Sequence, residues 1–226
     1  KTFDDFAQKV PVEKRFIANG LALSGNTFGI EAGTHRVHNL RIAGGSYIFD
    51  FVTPRVGMSN ITLPYPGSHN VMNAAAALAL ALEAGCEPIQ LKLGLSTFKG
   101  VDRRFSIRLT APKVVVDDYA HHPTEINAVA DALEAFYPDQ IKLGVFQPHL
   151  FSRTRDFAAG FKQALARFDE VLLLDIYPAR ELPMGGITSE LLIDADHGAT
   201  QLVDKGILPE MIAKSSATVV AIMGAG

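Results

Sequence analysis

The sequence predicts an α/β protein: a parallel sheet covered on both faces by helices, preceded by a β-rich segment with helices at its end. Three observations predict it. From about residue 113 onward, short continuously apolar runs such as "KVVV", "IKLGVF" and "EVLLL" alternate with amphipathic stretches of helical period. Strands buried on both faces are apolar throughout, whereas half-solvated ones alternate. Before residue 66 the runs are shorter and punctuated by glycine, asparagine and proline, as in hairpin-rich sheets. With 226 residues, 48% hydrophobic and 20% charged, the chain is long and apolar enough for one large core or two modest ones.

The elements follow in order. "NTFGIEA", "HRVHNLRIAGGSYIFDFVTP" and "NITLPYP" read as strands, with the two glycines of "AGGSY" suited to a tight hairpin turn. "GSHNVMNAAAALALALEAG" reads as a helix, with Ser68 as its N-cap and Gly85 at the left-handed C-terminal position. A short helix over "EPIQLKLGLSTF" leads to "KGVDRRF", where the rhythm changes. This predicts two domains, residues 1–100 and 101–226. Beyond it come the strand "KVVVDDY", the helix "TEINAVADALEAFY", the strand "IKLGVFQ" and the helix "RTRDFAAGFKQALARF". The strand "EVLLLDIYP", a short helix near "TSELLI", the helix "PEMIAKSS" and the strand "ATVVAIM" complete the chain.

Composition excludes several roles. A net charge of −3 disfavours general nucleic-acid binding, which calls for a basic surface. The longest apolar run, "AAAALALALEAG", is too short to cross a bilayer, and "KTFDDFAQKVP" lacks the features of a secretory signal. The single cysteine, Cys86, permits no internal disulfide and fits a reducing cytoplasm. Lys1 is not a usual start, and "VVAIMGAG" runs a strand into glycines with nothing after it. The chain therefore reads as a piece of a longer protein.

Ligands of parallel sheets bind at the carboxyl ends of the strands. The polar clusters fall there: Asp117, Asp118, His121 and His122 after one strand, Gln147 and His149 after the next, Asp175, Tyr177 and Arg180 after the third. Asp118 is placed to accept from the hydroxyls of a ribose, or alternatively to cap the following helix. His121 reads as a contact to substrate rather than half of a metal pair, since no carboxylate–histidine spacing accompanies it. Arg153 and Arg155 are expected in the first turn of a helix, where the macrodipole disfavours cations by roughly 0.3–1 kcal/mol. A bound carboxylate would explain that, and an ion pair with Asp156 is the competing account. Asn70 and Asn73, three apart on a first helical turn, suit either the edge of a nucleobase or local capping. Arg103 and Arg104 are a surface charge pair or a phosphate clamp. Tyr177, Arg180 and Glu181 share a loop that serves packing or function.

"GSHNVMNAAAALALAL", "FKGVDRRF", "VDDYAHHPTE", "FQPHLFSRTRDF" and "DIYPARELPMGGITSE" occur in this order. As an ordered set over roughly residues 40 to 190, the chain resembles the Mur ligases. The resemblance implies the end of a central ATPase domain followed by most of a Rossmann-like C-terminal domain. It implies ATP and Mg²⁺ as cofactors, with the principal Mg²⁺ ligands outside this chain, because no GxxxxGK[ST] loop is present. The implied substrates are UDP-N-acetylmuramate and L-alanine, joined through an acyl phosphate in peptidoglycan precursor synthesis. By motif, His69, Asn70 and Asn73 would lie at the adenine, Asp118 at the ribose, and Arg104 at the phosphates as a catalytic residue. His121, also catalytic, would line the amino-acid pocket with His149 and Arg153, and Tyr177 and Arg180 would be secondary contacts. Leu150 departs from the arginine that often follows the histidine of "QPH" in the family. The alternatives are a recycling ligase that adds a tripeptide, a dinucleotide-binding oxidoreductase, and a non-catalytic nucleotide-binding domain. No GxGxxG follows an internal strand. On this reading the chain alone has no ligase turnover.

Overall fold

The computed structural model describes residues 2–193 and 200–226, and these form two compact units that divide between Lys99 and Gly100. Among the described residues no helix is long and apolar enough to cross a membrane.

The first unit opens with α1 (Thr2–Ala7) and carries one five-stranded sheet: β1 (Phe16–Ala18), β2 (Asn26–Ile30), β3 (His35–Ala43), β4 (Ser46–Val52) and β5 (Gly57–Leu63), in that spatial order. The first three strands are parallel and the last two antiparallel. Strict alternation along β4 sends Tyr47, Phe49 and Phe51 into the core. The β3–β4 hairpin turns at Gly44 and Gly45, with φ of 58° and 70°, the left-handed pair that a two-residue turn demands. Helix α2 (Ser68–Glu83) buries Val71, Ala74, Ala75, Leu78 and Ala79, and α3 (Pro88–Ser96) starts with a capping box between Glu87 and Gln90. Ser68 is not the N-cap of α2 but its first helical residue. Gly67, with φ 101°, stands in the cap position, where a Cβ would lie 2.6 Å from Cε1 of His69. Gly85 is left-handed at the other end, with φ 88°.

The second unit contains β6 (Ser106–Leu109), β7 (Val114–Asp118), α4 (Pro123–Phe136), β8 (Lys142–Phe146), α5 (Phe151–Asp156), α6 (Ala158–Leu165), β9 (Glu170–Leu173), β10 (Thr200–Leu202), α7 (Leu208–Lys214) and β11 (Val219–Met223), with a 3₁₀ turn at Ser189–Leu192. Its six-stranded sheet has the order β10-β9-β8-β11-β7-β6, parallel except for the antiparallel edge strand β6. One face packs Phe146, Val116 and Ala221 against Ile126, Leu133, Phe161 and Leu165 of α4 and α6. The other packs Leu143, Val145 and Val220 against Leu208, Met211 and Ile212 of α7. This is the doubly covered α/β sheet that the continuously apolar runs predict.

Two local expectations are corrected. "RTRDFAAGFKQALARF" is not one helix: Phe157, at φ −115° and ψ 17°, separates α5 from α6, and its ring packs edge-on against His122 at 4.6 Å. Arg153 and Arg155 consequently lie in the last turn of a six-residue helix, where a cation is not opposed by the macrodipole. The short strands β1, β6 and β10 were not expected; β6 and β10 are largely exposed and carry little apolar signal.

Candidate active site

The second unit gathers its polar residues at the carboxyl ends of β7, β11, β8 and β9. The last strand, β11, runs between β7 and β8, so Gly224 sits in the middle of this rim. Gly224 N–H donates to the Asp118 carbonyl at 3.2 Å, and Gln147 N–H donates to the Met223 carbonyl at 3.0 Å. A Cβ on Gly224 would meet the Gln147 carbonyl oxygen at 2.9 Å at φ 144°, so glycine is required by space and by conformation.

Asp118 is 8% exposed and holds the loop ahead of β6. Its Oδ2 accepts from Phe105 N–H and its Oδ1 from Ala120 N–H, both at 2.7 Å. Burial pushes its carboxyl above the ordinary value, and the two amide bonds only partly oppose this. It does not cap α4. That role belongs to His122, whose Nδ1 accepts from Thr124 N–H at 3.3 Å, with Pro123 in the first helical position. The loop is left-handed at Arg103 and Phe105, with φ of 54° and 47°, and Arg103 reaches across the rim to donate to the Gly224 carbonyl at 2.6 Å. Asp117 pairs with Arg108 at 2.8 Å and lies 3.6 Å from Arg103.

From this loop a line of rings crosses the rim. The guanidinium carbons of Arg103 and Arg104 stand 5.0 and 5.9 Å from the centroid of the Tyr119 ring. Tyr119 meets His121 edge-on at 5.3 Å, His121 meets His149 at 6.2 Å, and His149 stacks on Tyr177 at 5.7 Å with 21° between planes. A parallel bridge pairs His149 with Tyr177, backed by Leu150 N–H to the Tyr177 carbonyl at 3.0 Å. Leu150 is left-handed at φ 72°, a costly conformation for a branched side chain, and its carbonyl accepts from both N–H and Oγ1 of Thr154.

Arg153 Nη1 donates to His149 Nδ1 at 3.3 Å. A guanidinium only donates, so the neutral His149 ring carries its proton on Nε2. Burial, with Arg153 and His121 nearby, lowers the His149 pKa, and Glu181 partly offsets that. Glu181 accepts from Ser152 N–H at 2.9 Å and from the Ser152 hydroxyl, bonds that hold its carboxyl below the usual range. Arg180, in the adjoining exposed turn, is not the residue that latches this loop to α5; Glu181 is.

The structure therefore brings Arg104, Asp118, His121, His149, Arg153 and Tyr177 to one rim. His69 and Asn70 lie on the first turn of α2 in the other unit and Asn73 on its second, and the Asn70 carboxamide donates to the Pro66 carbonyl at 2.6 Å. Sequence reasoning paired Arg103 with Arg104 at the junction but did not single out Tyr119, Glu125 or Gly224. The one available signal was that Tyr119 and Glu125 sit inside the "DDYAHHPTE" cluster.

Residues 103–226 match the family described as Mur ligase, glutamate ligase domain. The chain belongs to the Mur ligase family. It is 49% identical over its whole length to the UDP-N-acetylmuramate–L-alanine ligase of Christiangramia forsetii and 49% identical to that of Flavobacterium psychrophilum, spanning 51% of each. The crystal structure of the UDP-N-acetylmuramate-alanine ligase of Thermotoga maritima superposes with a TM-score of 0.73 at 27% identity, covering 90% of this chain and 45% of that one. The chain thus spans about half the length of the Mur ligases it matches. The line of rings and the Arg153–His149 pair lie within the family-matched segment.

Proposed function

We propose that this chain supplies the C-terminal Rossmann-like domain, and the end of the preceding ATPase domain, of a cytoplasmic ligase that joins L-alanine to UDP-N-acetylmuramate at the expense of ATP. The observation that carries the reading is the state of Arg153. Its hydrogen-bond partner is a neutral imidazole, while the nearby Glu181 carboxylate is engaged by Ser152. A guanidinium so placed can take the two oxygens of an amino-acid carboxylate in a fork. The relatives named above support the choice of L-alanine.

A carboxylate is a poor electrophile, so the sugar's lactyl carboxylate first takes the γ-phosphoryl group of ATP. The amine then attacks the acyl carbon and phosphate departs. The residues of this chain act by holding and orienting. Arg153 grips the alanine carboxylate, His149 and Tyr177 form one wall of the pocket, and His121 faces the amine. Arg180, in the exposed turn after Tyr177, is a secondary contact. Arg104 reaches the phosphates, and His69, Asn70 and Asn73 take the adenine edge. Asp118 would meet the ribose with the lone pairs left over from its two amide bonds. Positioning and fixed charge of this kind supply most of the catalysis in phosphoryl and acyl transfer. Mg²⁺ would neutralise phosphate charge when bound. Among the described residues no group of three or more His, Cys, Asp or Glu side chains could hold a metal ion.

The test is ATP-dependent phosphate release by the full-length protein, given UDP-N-acetylmuramate with each amino acid and with a tripeptide acceptor. L-Alanine should be preferred, and this chain alone should be inactive. Preference for the tripeptide would transfer the reading to a recycling ligase, and tight NADH binding without phosphate release would overturn it.

A further inference from the structure

We infer that Glu125 is a positioning residue that fixes the tautomer of His121 and so makes its Nε2 the proton acceptor for the incoming amine. The Glu125 side chain sits on the first turn of α4 and points back across the rim. Its Oε2 accepts from His121 N–H at 2.8 Å and lies 3.2 Å from His121 Nδ1, and its Oε1 lies 3.8 Å from Arg104 Nη1. The carbonyl of Tyr119 lies on the same ring nitrogen, at 3.0 Å. A carbonyl and a carboxylate both accept, so two acceptors converge on Nδ1 and that nitrogen must carry the hydrogen. In the neutral ring the lone pair is therefore on Nε2. His149, whose Nδ1 accepts from Arg153, is in the opposite tautomer. The two imidazoles of the rim have been given different jobs.

The competing account is a helix cap. A capping box carries an acidic residue at the third helical position whose side chain returns to the backbone N–H of the cap residue. Glu125 occupies that position, but the N–H it takes belongs to His121, one residue before the cap His122. A cap accounts neither for the ring contact nor for the approach to Arg104.

The inference rests on the ligase reading for its chemistry. The amino acid arrives as an ammonium ion, which has no lone pair. His121 Nε2 takes one N–H proton and becomes imidazolium, and the freed pair forms the N–C bond to the acyl phosphate. The C–O bond to phosphate then breaks, the leaving phosphate takes the second N–H proton, and His121 returns its proton to solvent. Orientation of a base by a neighbouring carboxylate is the general device for this step.

Two measurements test it. Ring ¹⁵N NMR of this chain, under alkaline conditions where the imidazole is neutral, should show His121 protonated at Nδ1. Glu125→Ala should bring in a substantial share of the Nε2–H tautomer, while Glu125→Gln, which keeps a carbonyl acceptor, should not. In the full-length protein, Glu125→Ala should lower kcat on the order of tenfold to a hundredfold with the amino-acid KM little changed, and Glu125→Gln should recover part of it. A wild-type ring protonated at Nε2 would overturn the inference. So would a fall in kcat without any tautomer change, which would mark Glu125 as a helix-start residue only. Absence of turnover with every acceptor, alongside the expected NMR result, would remove the ligase reading and leave the Glu125–His121 assignment standing.

Discussion

Replacing Asp118 with alanine strips two buried amides of their acceptor. Phe105 is 3% exposed and Ala120 is fully buried, so water does not readily replace the carboxylate at either N–H. An orphaned buried donor costs about 1–3 kcal/mol, which puts the gross loss at roughly 2–6 kcal/mol. Against this, the variant no longer keeps an ionised carboxylate in a site whose burial raises its pKa, so the net loss should be about 2–4 kcal/mol. Asparagine offers one carbonyl to two donors and turns its NH₂ toward the second, so Asp118→Asn should fall between alanine and wild type. The sign with pH follows from the raised pKa. The folded state binds the proton more tightly than the unfolded one, so the Asp118 contribution is full below its unfolded pKa and is lost as pH rises through the folded one. The gap between wild type and Asp118→Ala should widen as pH falls through the carboxylate range. Urea unfolding by circular dichroism gives the magnitude, and hydrogen exchange of Phe105 and Ala120 locates it. A midpoint shift worth less than about 0.5 kcal/mol, with both amides still protected, would refute the account.

Other outcomes follow from the same geometry. Arg153→Ala in the full-length protein should raise the amino-acid KM far more than the ATP KM, by roughly ten- to a hundredfold for a lost charge-assisted contact; equal effects on both would remove Arg153 from the carboxylate role. His149 should titrate below an ordinary histidine by NMR, and Arg153→Met should bring it back toward the ordinary value. Because the folded pKa is depressed, the His149 contribution to stability is present above its unfolded pKa and lost as pH falls through the folded one. Gly144→Ala should cost about 1–3 kcal/mol by urea unfolding, since the new Cβ would lie 2.9 Å from the ring of Phe168, buried against the middle of the sheet.

The sheet was readable because β8 and β11 are apolar at nearly every position, a pattern that only a doubly covered strand tolerates. The rim was readable because polar residues at the ends of such strands have no packing reason to be there. The order of the strands was not. Nothing local in "ATVVAIM" says that it inserts between β7 and β8, and that insertion is what brings Gly224 to Arg103, 121 residues away in sequence. The break at Phe157 was also hidden, since alanine and arginine around it favour a helix, and the ring contact with His122 that accompanies the break is tertiary. Asp118 was legible as a special carboxylate. Its hold on the Phe105 amide was not, because that depends on a left-handed backbone at Arg103 and Phe105 with no glycine to announce it.

The three carboxylates of the "DDYAHHPTE" stretch show how one short segment serves several ends. They lie within nine residues and repel one another, Glu125 helping to raise the Asp118 pKa, so a shared environment would be costly. Each has instead a separate set of donors: Asp117 the guanidinium of Arg108, Asp118 two backbone amides, Glu125 the backbone and ring of His121. The alternation of strand side chains sends Asp117 and Asp118 to opposite faces, and the first turn of α4 carries Glu125 back to the rim. Asp118 fixes the loop that bears Arg104, and Glu125 reaches both that arginine and His121. Both acids therefore act on the same pair of side chains, one through the backbone and one directly. Changes to the two should be non-additive wherever Arg104 or His121 is the reporter, whereas Asp117, held by Arg108 and meeting the rim through Arg103, should couple more weakly with Glu125.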